Sequence, residues 1–144
     1  DKGLKILKKN ILFNKDHWSI MGSHDGYLKK YGIIHERKID FYPNNNKLIG
    51  EDKLVKKKNF KSTNFEIRFH FEPGTKITKT QDNKSILIEI ENSGWRFFAD
   101  NHIIDIETGL YFGNKNSFVE NQNISISGKT RNEEQTVGWQ IIKI

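Results

Sequence analysis

A chain of 144 residues with a net charge of +6 and no cysteine is one domain by length and has neither a disulfide framework nor a thiolate centre. Its apolar share of 35% is modest and its aromatic share of 12% generous, and no apolar run approaches the ~20 residues of a helical membrane span. Residues 1–61 hold fifteen Lys and Arg against seven Asp and Glu, while residues 62–144 hold nine against eleven, so any attraction for a polyanion belongs to the first half, with a solvated lysine surface as the competing reading.

Taken in chain order, Leu4 to Phe13 fits either a short helix or a strand pair. Ser23-His24-Asp25-Gly26-Tyr27 reads as a strand end. Gly26 is expected to turn it over, because glycine permits positive φ, and Asp25 to brace the turn through an Asx-type hydrogen bond. From Ile33 to Tyr42 the period is two. Ile33, His35, Arg37, Ile39 and Phe41 share one face; Ile34, Glu36, Lys38, Asp40 and Tyr42 share the other, which reads as solvated. A guanidinium among apolar neighbours needs a partner, since a dry unpaired charge is costly, and the candidates are Asp25 and a carboxylate on a missing segment or ligand.

Lys56-Lys57-Lys58 reads as an exposed loop or strand end. Phe65 to Phe71 alternates strictly and predicts a half-buried strand, with His70 on its polar face. Ile86 to Ile90 and Trp95 to Phe98, separated by Asn92-Ser93-Gly94, predict a hairpin. Ile124 to Ser127, closed by Gly128, and Val137 to Ile141 are the last strands. Pro43-Asn44, Pro73-Gly74, Asp82-Asn83, Thr108-Gly109 and Gly113-Asn114 are predicted turns. Short strands at this spacing predict an all-β fold, an antiparallel β-sandwich or jelly roll, with residues 1–144 as a single domain.

Site chemistry concentrates between His24 and Ile39. His17, His24 and His35 show no HxH or HExxH spacing, so no self-contained metal site is predicted. A G-x-S-x-G elbow and both phosphate-loop patterns are absent. The candidate cleft-lining or supporting residues are His24, Asp25, Tyr27, His35 and Arg37. Such a set suits an anionic sugar: Arg or His can stabilise an enolate-like intermediate, and Tyr or His can move protons. The same set can equally brace a sheet. No helical reader or RNA-binding signature is present, so nucleic acid is not an expected partner, nor is a membrane.

His24-Asp25-Gly26-Tyr27, then His35-Glu36-Arg37-Lys38-Ile39, then Phe65-Glu66-Ile67-Arg68-Phe69-His70-Phe71-Glu72-Pro73-Gly74 resemble the C-terminal β-domain of the heparinase II/III-like polysaccharide lyases. Trp95-Arg96-Phe97 and Tyr111-Phe112 fit the same succession more loosely. The resemblance implies a β-sandwich that follows an α/α toroid in the parent protein, which breaks an acidic, uronate-containing polysaccharide by β-elimination. It also implies that the main catalytic groups lie in the toroid and in an early β-region segment, neither of which matches anything here. No catalytic residue and no metal ligand therefore carries over to this chain. Some family members bind zinc through that early segment, so no cofactor is expected in these residues. The expected partners are the acidic polysaccharide and the missing toroid, and the isolated domain is expected to be inactive. A non-catalytic carbohydrate-binding module and a purely structural domain are the alternatives. A periplasmic or extracellular location agrees with this reading; the sequence does not select a compartment.

Overall fold

The computed structural model describes residues 4–115 and 117–144. Alternating sequence becomes strand: β1 (Ile6–Phe13), β2 (Trp18–His24), β3 (Ile33–Tyr42), β4 (Lys47–Lys56), β5 (Asn64–His70), β6 (Lys76–Lys79), β7 (Ile86–Ile90), β8 (Ser93–Ala99), β9 (Ile103–Asn114), β10 (Ser117–Lys129) and β11 (Gln135–Lys143). One short helix, α1 (Leu28–Tyr31), sits between β2 and β3. The strands form an eight-stranded sheet, in the order β1-β2-β3-β4-β11-β8-β7-β6, and a three-stranded sheet, β5-β10-β9. All pairings are antiparallel. This is the all-β sandwich expected from the alternation.

The core lies between the sheets. Ile77, Ile86, Ile88, Phe97, Val137 and Trp139 of the large sheet meet Ile67, Ile104, Ile124 and Ile126 of the small one. Large side chains fill such a gap well, and Phe69 stands edge-on to Trp139 with ring centroids 4.7 Å apart. The small sheet covers only part of the large one. Toward β1 the same face is open, with Ile20 42%, Ile11 58% and Phe13 81% exposed.

Of the two readings of Leu4 to Phe13 the strand is the one observed: Ile6–Phe13 pairs with β2 from Ile6↔His24 to Phe13↔Trp18. Three expectations are corrected. Thr108-Gly109 is not a turn: both residues lie inside β9, opposite Gln122 and Asn121. The β7–β8 turn is centred on Glu91 and Asn92, at φ 46° and 64°, with Ile90 paired to Ser93; this left-handed pair matches the twist of the flanking strands. Gly26 is not among the residues with positive φ. That conformation falls instead to Gly32 at 66°, where α1 ends.

Candidate functional site

Three strand pairings converge on one carboxylate. β2 and β3 place His24 opposite His35 and Gly22 opposite Arg37. β3 and β4 place Arg37 opposite Asp52, and β4 and β11 place Trp139 opposite Gly50. Gly50 is needed there for space: a Cβ would lie 2.0 Å from the Trp139 indole. With the ring flat on β4, Trp139 Nε1 donates to Asp52 Oδ2 at 2.9 Å. Arg37 donates to the same carboxylate through Nε at 2.8 Å and Nη2 at 3.2 Å. His35 Nε2 donates to Asp52 Oδ1 at 2.6 Å.

Asp52 is fully buried. Burial alone would raise its carboxyl pKa, but the hydrogen bonds from His35 and Arg37, the Arg37 charge and the indole N–H outweigh burial and hold it below the ordinary carboxylate range. The guanidinium also lies over the Phe69 ring at 5.3 Å and the Trp139 ring at 6.0 Å, which suits a planar, weakly hydrated cation. The apolar stripe on β3 thus accommodates a charge because the opposite charge reaches it from β4.

His24 extends this cluster outward. Its Nε2 lies 3.1 Å from His35 Nδ1, and its Nδ1 accepts the Gly26 amide proton at 3.2 Å. Burial and the neighbouring His35 lower its pKa, against a smaller opposing effect of Asp25.

A cleft of about 640 Å³ opens beside these residues. Gly22, His24, His35 and Arg37 contribute to its floor from the large sheet, Tyr27 and Tyr31 stand at one end, and β5 supplies a wall through residues such as Glu66 and Arg68. β5 is an edge of the small sheet, so the cleft lies where the second layer stops.

Of the five residues singled out in the sequence, His24, Tyr27, His35 and Arg37 line this cleft. Tyr27 is 49% exposed at its rim. Asp25 is not part of the lining, and it pairs with neither Arg37 nor its own turn. Its Oδ1 accepts the Lys5 amide proton at 2.8 Å and ties the start of β1 to the turn. Arg37 finds Asp52 instead, because β4 lies directly beside β3 while Asp25 points toward β1. Gly26 sits in close quarters rather than at positive φ: a Cβ there would come within 2.8 Å of Leu4 Cδ1, the end of an exposed side chain, and 3.2 Å of His24 Nδ1.

Sequence reasoning missed Asp52. Its signal was present: Leu48, Gly50, Asp52 and Leu54 occupy alternate positions of β4, and a lone acid in such a stripe asks for a buried partner. A second histidine–carboxylate pair was also missed. On the face of β3 that reads as solvated, His17 Nε2 lies 2.8 Å from Asp40 Oδ1, and the His17 ring stacks on Tyr42 at 4.6 Å.

Chemically the cluster is closed. Both nitrogens of His35 are engaged, and His24 Nδ1 takes a proton only by giving up its contact with the Gly26 amide. Among the described residues no group of three or more His, Cys, Asp and Glu side chains is placed to hold a metal ion. The His24–His35–Asp52 row does not fit one either, because its nitrogens face one another and Asp52 rather than a common centre.

Comparison with known proteins agrees with this architecture. Residues 2–140 match the family profile described as heparinase II/III-like, C-terminal. No curated protein matches by sequence. A heparinase III structure superposes with a TM-score of 0.76 at 14% identity, covering 97% of this chain and 21% of that one. The heparan sulfate lyase of Pedobacter heparinus superposes with a TM-score of 0.80 at 10% identity, covering 96% and 22%. The chain therefore spans about a fifth of the length of these solved structures. With a profile match over nearly its whole length and an eleven-stranded sandwich that superposes on those folds, the chain belongs to the heparinase II/III-like family, as its C-terminal domain.

Proposed function

We propose that this β-sandwich serves a polysaccharide lyase that cleaves an acidic, uronate-containing chain by β-elimination, and that it braces one wall of the saccharide cleft without being catalytic alone. The observation that carries the second half is the closed row from Gly26 through His24 and His35 to Asp52. β-Elimination needs a group free to take the C5 proton; His35 has both nitrogens engaged, and His24 can take one only by giving up the Gly26 amide. The acid/base groups then belong to the α/α toroid and the early β-region segment of the parent protein. Gly22 supports the cleft reading, because it lies opposite Arg37 and a Cβ there would meet nothing closer than the Lys8 carbonyl at 3.8 Å.

The test is the ultraviolet absorbance of unsaturated uronate. Incubated with heparan sulfate, chondroitin sulfate, hyaluronan or alginate, the 144-residue chain yields none, while the parent protein carrying its toroid does. Product from the isolated chain would overturn the proposal. In the parent protein, Gly22→Leu lowers kcat/KM by about tenfold or more, the scale of a lost positioning contact, while the unfolding midpoint of the isolated domain stays put.

The open face at Ile11, Phe13 and Ile20 favours a second reading, a purely structural domain that completes a larger fold. Under that reading Gly22→Leu leaves kcat/KM unchanged.

A further inference from the structure

The hydrogen bonds around His24 run in one direction. Asp52, buried beside Arg37, is an acceptor, so His35 carries its proton on Nε2. His35 Nδ1 is then an acceptor for His24 Nε2–H, and His24 Nδ1 an acceptor for the Gly26 amide. Protons on His35 Nε2 and His24 Nε2 satisfy every contact of the row, and these tautomers are assigned from the network.

A further proton has two places to go. On His35 Nδ1 it would face His24 Nε2–H, forcing His24 to exchange tautomers and to present an Nδ1–H toward the Gly26 N–H. On His24 Nδ1 it disturbs only the Gly26 contact and leaves the rest of the row intact. Both routes end alike: two N–H groups, on nitrogens 3.2 Å apart, are directed at one another at the exposed rim of the cleft. Two N–H groups in this position repel, and each is satisfied by turning toward an acceptor beside the pair, where one oxygen about 2.8 Å from both nitrogens can accept from both.

We propose that His24 Nδ1 and the Gly26 amide form an anion site that assembles on uptake of one proton, taking a carboxylate or sulfate oxygen. The natural ligand, an acidic saccharide, rests on the function proposed above; the site itself does not.

The surroundings favour this. His24 meets His35 from β3 and Tyr27 from the turn, with Asp25 adjacent in sequence; Arg37 from β3, Glu66 and Arg68 from β5 and Tyr31 line the same cleft, and Asp52 from β4 lies behind His35. Arg37 is neutralised by Asp52, and Arg68 by Glu66 and Glu107. Asp25 spends its Oδ1 on the Lys5 amide. A proton on His24 then makes no salt bridge in the described residues; the Asp25 carboxylate favours it from a distance. Burial and His35 hold the His24 pKa down in the ligand-free protein; a bound anion raises it. By linkage, affinity for the anion rises as pH falls and levels off below the ligand-free pKa.

The experiment follows His24 ring nitrogens and the Gly26 amide by NMR from about pH 8 to pH 5, the window in which histidine titrates. Sodium chloride, sodium sulfate and sodium glucuronate are compared at equal ionic strength, with an acidic oligosaccharide as a fourth arm. The expected result is that the Gly26 amide titrates with His24 and that sulfate and glucuronate each raise the midpoint by about half a unit or more, a threefold or greater preference for the protonated site. His24→Asn, whose carboxamide oxygen stands where Nδ1 stood, keeps the Gly26 hydrogen bond and the folded spectrum but loses the anion response. Equal midpoints in chloride and sulfate, a Gly26 amide that ignores the titration, or a sulfate response undiminished in His24→Asn would each overturn the site. A response to inorganic sulfate with none to glucuronate or the oligosaccharide supports the site and removes the saccharide reading.

Discussion

Asp52 is the residue on which the cleft depends. Four donors from three side chains reach it, and it is fully buried. Removing one partner of a buried pair leaves the other charge uncompensated, so Asp52→Ala is expected to cost about 3–5 kcal/mol in urea unfolding. Asp52→Asn, which keeps shape and one acceptor, should cost less. The lowered pKa of Asp52 also sets an acid limit. Its folded value lies below its unfolded value of about 4, so the stability it contributes is present above about pH 4 and is lost as pH falls through the folded value. His24 acts in the same direction at higher pH. Its folded pKa is depressed below 6.5, so its contribution is complete above that pH and declines as pH falls toward the folded value. Unfolding midpoints across pH should show two successive losses on acidification, and His24→Asn should remove the first alone. A midpoint that stays flat from neutrality to the Asp52 range would contradict this account of His24.

At the scale of elements, the pairing of β4 with β11 decides whether the cluster forms. Gly50 and Trp139 face each other in register, and the indole occupies the space that any side chain at position 50 would take. Gly50→Ala is therefore expected to displace Trp139, break its bond to Asp52 and destabilise the fold by about 1–3 kcal/mol, the usual range for overpacking. Tryptophan fluorescence and urea unfolding would register both effects; an unchanged emission and midpoint would mean that the ring is free to move aside. The strands were readable from alternation because one buried face imposes period two whatever its partner. The turns were less readable. Thr108-Gly109 has turn composition yet lies inside β9, where Gly109 makes room for the side chains of Asn121 and Asn123 across the ladder. Glu91 adopts a left-handed conformation with no local signal, since closing the β7–β8 hairpin compels it.

For the whole molecule, the mismatch between eight strands and three is the dominant property. All of β1 is exposed, including Ile6, Ile11, Leu12 and Phe13. An apolar edge strand with unpaired backbone groups invites association. The isolated chain is expected to self-associate with rising concentration in sedimentation velocity. Phe13→Lys combined with Ile11→Thr should return it toward monomer without lowering the unfolding midpoint, because neither side chain is buried. A monomer at every concentration in the unsubstituted chain would argue against this.

Sequence alone determined that this is an antiparallel β-protein, and its His24-to-Ile39 block pointed to the family whose profile it matches. Both follow from local information: period two reports one buried face, and residue spacing is preserved along the chain. It also placed His35 and Arg37 on the same face of one strand. The tertiary structure decided what that face meets. Asp52 is 15 residues from Arg37 along the chain and Trp139 is 87 from Asp52, and only the order β3-β4-β11 brings them together. Electrostatic partners across a sheet depend on strand order and register, which no single strand's periodicity contains. That is why Arg37 was seen to need a partner while Asp25 was named in place of Asp52.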